Sequence, residues 1–135
     1  MKKLLSTKYS TGAFNAAMLI LRLSAGSLMM HHGYNKLVYF GTMHNSFMNL
    51  LGIGSTLSLA LVIFAEFFCS LFLMIGLFTR FAAIPLIIEM TVALVKVHNS
   101  DVFGKGEVDA LYLTCFIVLL FLGPGKVSVD TMVGK

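Results

Sequence analysis

From Leu57 to Phe78 the chain runs for 22 residues with a single charge, Glu66. A helix of that length crosses a hydrocarbon core about 30 Å thick, at about 1.5 Å of rise per residue. The remaining composition agrees: of 135 residues, 58% are hydrophobic and only 12% charged, where a soluble domain runs to about a quarter charged. The chain therefore belongs in a bilayer. Its length holds one domain of about four crossings and leaves no room for a separate soluble catalytic domain.

Three further apolar runs complete the expected architecture, an all-α four-transmembrane-helix bundle formed as a single domain over 1–135. The first spans about 13–33, the second 57–78, the third 81–97 and the fourth 108–123. The last two are the shorter, and runs of that size also occur as buried or re-entrant segments. Between the first two lies "LVYFGTMHNSFMNLLGIGST", where Met43, Phe47, Leu50 and Leu51 recur at helical spacing behind Thr42, a candidate N-cap. This predicts a short interfacial helix. The turn "GLFTRFA" is tight enough to make the second and third spans an antiparallel hairpin.

Topology follows from the basic residues. Lys2, Lys3, Lys8, Arg80, Lys126 and Lys135 fall on one side, and Lys36, Lys96 and Lys105 on the other. Six against three places both termini in the cytoplasm, with an uncleaved first helix, because no clean small-x-small site follows the first apolar run. The net charge of +4 thus sets orientation and gives no reason to expect nucleic acid as a partner. Cys69 and Cys115 stand alone in apolar runs and read as small buried hydrophobes, not as a dithiol.

The charges within the spans pose the functional question. Measured along ideal helices, Arg22 and Glu89 lie roughly 12 Å, and Glu66 roughly 18 Å, above the inner ends of their spans. A charge at that depth costs at least about 2.5–3.5 kcal/mol when unpaired. A buried network of Arg22, Glu66 and Glu89 is expected, in which one acid takes the guanidinium and the other is left to carry a proton. Such a network either clasps the helices or handles protons or ligand. On a helical wheel Arg22, Gly26, Met29, Gly33 and Lys36 share one face, His32 sits near its border and His31 points nearly opposite. Gly26 and Gly33 admit a close partner helix. His32 and Lys36, with Lys96 and His98 at the end of the third span, should meet on the outer side as a basic vestibule for a ligand head group, or else as solvated helix ends. Nothing in the spacing marks a metal site.

In order and spacing these segments resemble the DoxX family of small four-span bacterial membrane proteins. "LRLSAGSLMMHHGYNKL" resembles its first helix, "AEFFCSLFLMIGLFTRFAA" its central Glu, Gly and Thr-Arg segment, "TVALVKVHNS" the end of its third helix and "GPGKVSVD" its closing motif. The resemblance implies that Gly33, Gly76, Thr79, Arg80, Gly123, Pro124, Gly125 and Asp130 are structural signatures. It also implies an inner-membrane oxidoreductase or oxidoreductase subunit tied to quinone or oxidative stress. The chain carries no flavin, nicotinamide, haem or dithiol motif of its own. Electron transfer would then need bound quinone or a redox enzyme partner. A non-catalytic scaffold, a homo-oligomer and a small transporter or ligand-binding bundle remain the rival readings.

Overall fold

The computed structural model describes residues 4–47 and 52–134, and all regular structure among them is helical. Helix α1 (Thr11–Val38) opens on Ser10, whose side chain accepts from the amide of Ala13 at 3.0 Å, satisfying one of the donors a helix start leaves open. It runs on past Gly33 to Val38, five residues beyond the apolar run. A single turn, α2 (Phe40–Met43), follows. Helix α3 (Ser55–Ile75) is α-helical at both ends with a π-helical turn at Phe64–Cys69. Helix α4 covers 79–97, with Pro85 inside it and a second π turn at Ala93–Val97. Helix α5 (Glu107–Leu122) begins with Glu107 and Asp109 in its first turn, where negative charge suits the helix dipole. A last turn, α6 (Val129–Met132), ends the described chain.

Of these, α1 and α3 are each long and apolar enough to cross a membrane. Helix α1 packs along α3, and α4 along α5, around a core that includes Met18, Met29, Leu73, Leu86, Phe116 and Leu119. Gly26 and Gly33 set the first of these approaches. A Cβ on Gly33 would meet the Phe67 amide nitrogen at 2.6 Å, and one on Gly26 the Met74 side chain at 2.6 Å. Outward the helices present Ile20, Leu28, Ile88, Leu111 and Phe121, all more than half exposed, as lipid-facing surfaces do.

The interfacial helix takes a different form from the one expected. Thr42 lies inside α2, with its hydroxyl donating back to the Tyr39 carbonyl at 3.0 Å, so it competes with the backbone instead of capping a longer helix. His44, Asn45 and Ser46 form a turn. Leu50 and Leu51, the other half of the expected apolar stripe, lie outside the described residues.

One end of the molecule is closed by the C-terminal segment. Gly76, at φ +76°, ends α3 in the left-handed conformation, its amide donating to the Leu73 carbonyl and that of Leu77 to Phe72, a glycine stop that other residues make only with strain. Helix α4 then starts on Phe78, which offers no capping side chain. Asp130 supplies the cap from across the sequence, accepting from the amides of Phe78 at 2.8 Å and Thr79 at 3.1 Å. The Gly76 carbonyl accepts from the Asp130 amide. Arg80 donates to the Phe121 carbonyl near Gly123, which ends α5, and Asn15 on α1 accepts from the amide of Lys126, beyond Pro124 and Gly125.

Candidate ligand-binding site

Toward the opposite end, side chains of α1, α3, α4 and α5 converge on a cavity of about 320 Å³, a size at the lower end of small-molecule sites, which run from about 300 to 1,000 Å³. His32, Lys36, Glu66, Glu89 and His98 line it, together with Tyr112. The Lys36 ammonium donates to both Glu66 oxygens, at 2.7 and 2.6 Å. Glu66 is 3% exposed and sits on the π turn of α3. At that turn α1 packs close, the Gly33 Cα facing the Glu66 backbone, and π turns are frequent at functional sites. Glu89 lines the cavity close to Glu66. Its Oε2 is shielded from solvent and has no partner among the described residues. At the rim, His98 Nδ1 and Asp109 pair across α4 and α5. Tyr112 lies edge-on to His32 and is stacked on Phe116, giving the cavity a flat aromatic wall, and Met29, Val62 and Met90 supply apolar surface.

The expected trio of Arg22, Glu66 and Glu89 is divided between the two ends. Arg22 is 1% exposed, yet it donates to the carbonyl of Val127, neighbours Gly76, and feels the charge of Asp130. The reason is the register of antiparallel α1 and α3: Gly33 faces the Glu66 backbone, so Arg22, about 16 Å further down α1, comes level with Gly76 at the far end of α3. The Cα–Cβ tilt toward the N-terminus of each helix widens that separation. The same tilt carries Lys36 back from the end of α1 into the cavity. Two Arg22 nitrogens, Nε and Nη1, find no hydrogen-bond partner among the described residues.

Of the four residues expected in the vestibule, His32, Lys36 and His98 line the cavity, whereas Lys96 is exposed and outside its lining. The step of two positions from Lys96 to His98 turns the lysine to another face of the final turn of α4. His31 lies on a different face, beside Asn35. Sequence reasoning did not assign Asp109 or Tyr112 to the site. Part of their signal was present, since Asp109 and Tyr112 are three apart, hence on one helix face, in the first turns of the helix that follows the loop after His98.

A helical protein with an apolar exterior and acids, a lysine and histidines gathered in one internal cavity is an integral membrane protein with a polar site within its spans. The chain belongs to the DoxX family, whose model matches residues 17–99, more than half of its 135 residues. It is also similar to an uncharacterized membrane protein of Mycobacterium tuberculosis, 27% identical over 134 residues covering 88% of this chain and 82% of that one. No solved structure matches it.

Proposed function

We propose that the chain is a four-span inner-membrane protein, with both termini in the cytoplasm, whose outer cavity binds a quinone-like head group in the service of a redox or oxidative-stress system. The observation that supports this is the joining of two proton-bearing units, Lys36–Glu66–Glu89 and His98–Asp109, along one aromatic-walled cavity. The fit is chemical. A planar head group needs an apolar slot, supplied by Tyr112, Met29 and Met90, and polar groups at its carbonyl ends, supplied by His98 and His32. When bound, a quinone supplies two-electron, two-proton redox chemistry.

What the chain's own residues contribute is positioning and proton exchange. Lys36 compensates Glu66, which leaves Glu89, the second acid of the cavity, as the group to carry a proton. Glu89 Oε2, without a partner, is where that proton can be handed to a ligand or taken from one. Asp109, by engaging His98 Nδ1, orients the imidazole and leaves Nε2 for a ligand. Electrons come from a partner redox enzyme in this reading, and the chain is the quinone-binding subunit. Protein extracted in mild detergent should retain quinone by mass spectrometry and show a quinone-dependent redox difference spectrum once its partner is added, with both reduced in the His98→Ala variant. Retention of no quinone by the parent, together with no response to added quinone, overturns the reading. Capture of a soluble enzyme without quinone would favour the scaffold, and solute uptake into liposomes the transporter.

A further inference from the structure

A second cavity, of about 310 Å³, opens on the outside of the molecule between α3 and α4. Leu61, Phe64, Pro85, Ile88 and Val92 line it, and Leu61, Phe64 and Ile88 are 50, 48 and 55% exposed on the lipid-facing surface. Pro85 helps to shape it, because a proline within a helix removes one backbone donor and pushes its ring against the preceding turn, parting the helix from its neighbour. Two residues, Val62 and Glu89, line this groove and the polar cavity alike. The groove is thus the far side of the wall on which the acid pair sits, and the unpartnered Glu89 oxygen belongs to that wall. In a bilayer such a furrow does not stay empty, since a void forfeits dispersion contacts. Its apolar lining accepts a hydrocarbon chain.

We propose that the ligand of the polar cavity carries a single apolar chain which lies in the groove between α3 and α4, and that it enters from the lipid, past Val62 and Glu89, with its head group last to lose contact with the membrane interface. This deepens the quinone reading by naming the substrate class as a chain-bearing, lipid-soluble molecule, and it rests on that reading for the head group alone. The groove then selects by chain, and the cavity by head.

The full-length protein in nanodiscs can be probed with three compounds: a decyl benzoquinone bearing a diazirine at the chain end, the same benzoquinone without a chain, and decanol bearing the same diazirine. Compared at equal mole fraction in the nanodisc lipid, so that partitioning from water cancels, the tailed quinone should bind severalfold tighter than the tail-less one through dispersion contacts with the groove, and should crosslink within 61–64 and 85–92. Ile88→Trp, which fills the groove, should remove that advantage and leave the tail-less quinone unchanged. Leu111→Trp on the lipid face of α5 should change neither. Equal binding of tailed and tail-less quinone, or crosslinks spread evenly over the lipid-facing surface, overturns the groove. Should neither quinone bind, the head-group reading fails, and the decanol probe still decides the groove: crosslinks confined to 61–64 and 85–92 sustain it, and even labelling ends it.

Discussion

At the scale of single residues, the charges sort by the register of α1 against α3, which sets Arg22 beside Gly76 and Gly33 beside Glu66. Lys36 holds Glu66 with both of its oxygens, and the lysine is partly exposed while the glutamate is not. Removing the lysine strands a carboxylate in the membrane interior, which costs more than removing both partners. Lys36→Met is expected to lower stability by roughly 1–3 kcal/mol in thermal unfolding in detergent, and Glu66→Gln in the same chain to restore much of it. A cycle of Arg22→Leu with Glu66→Gln should, by contrast, be additive within about 0.5 kcal/mol, because the two side chains serve opposite ends of the molecule. Coupling above that value would show that Arg22 reaches the acids after all. Arg22→Leu should itself be tolerated poorly, because the Val127 carbonyl loses its donor and the C-terminal segment loses its anchor.

At the scale of elements, glycines and one carboxylate decide how helices meet and where they begin. A methyl on Gly33 would sit 2.6 Å from the Phe67 nitrogen and 2.7 Å from the Glu66 carbonyl carbon, both backbone atoms that cannot swing aside. Gly33→Ala should therefore push α1 off α3, cost about 1–3 kcal/mol and loosen the Lys36–Glu66 contact, whereas Gly26→Ala, facing mainly the flexible Met74 side chain, should cost less. Equal losses at both positions would mean that the backbone contact at Gly33 is not what sets the spacing. Asp130→Ala should cost about 0.5–2 kcal/mol, the value of a lost N-cap, and its unfolding midpoint in detergent should fall below that of Asp130→Asn, which keeps an acceptor. The sequence made part of this legible. The face shared by Gly26, Gly33 and Lys36, with His31 turned away, follows from the helical period alone and is the face that meets α3. Asp130 was legible only as a member of a closing motif, since nothing local says that a residue 51 positions away from Thr79 caps its helix. Helical depth counted from the ends of the apolar runs placed Arg22 beside the acids, because nothing local in the sequence gives the register that sets Gly33, and not Arg22, against Glu66. The polar cavity was half legible: His32, Lys36 and His98 were marked by being charged or polar at helix ends, but the acids were assigned to Arg22, and Tyr112 looked like any aromatic in an apolar run.

At the scale of the whole molecule, the two ends are chemically distinct, and this gives orientation a structural footing. One end gathers the start of α1, the Gly76–Arg80 turn and the segment from Gly123 to Asp130 through the contacts of Asn15 with Lys126, of Arg80 with Phe121 and of Asp130 with Phe78 and Thr79. The basic residues Lys8, Arg80 and Lys126 lie in these segments, with Lys2, Lys3 and Lys135 continuing them in sequence. The other end carries Lys36, Lys96 and Lys105 and opens the polar cavity. Basic residues in short flanks are retained in the cytoplasm during insertion, so the topology proposed above predicts a cytoplasmic closed end and a cavity that faces outward. In the proposed four-span arrangement helices α4 and α5, each shorter than the two long spans, also cross, which puts the turn at Arg80 and the segment at Lys126 on the side of the start of α1. Reporters fused after Gly134 and inserted at Lys105 are expected to lie on opposite sides, the first cytoplasmic and the second external. Matching sides would mean that α5 does not cross. Opposite sides in the reverse sense would leave four crossings intact but turn the cavity, and its proton exchange, toward the cytoplasm.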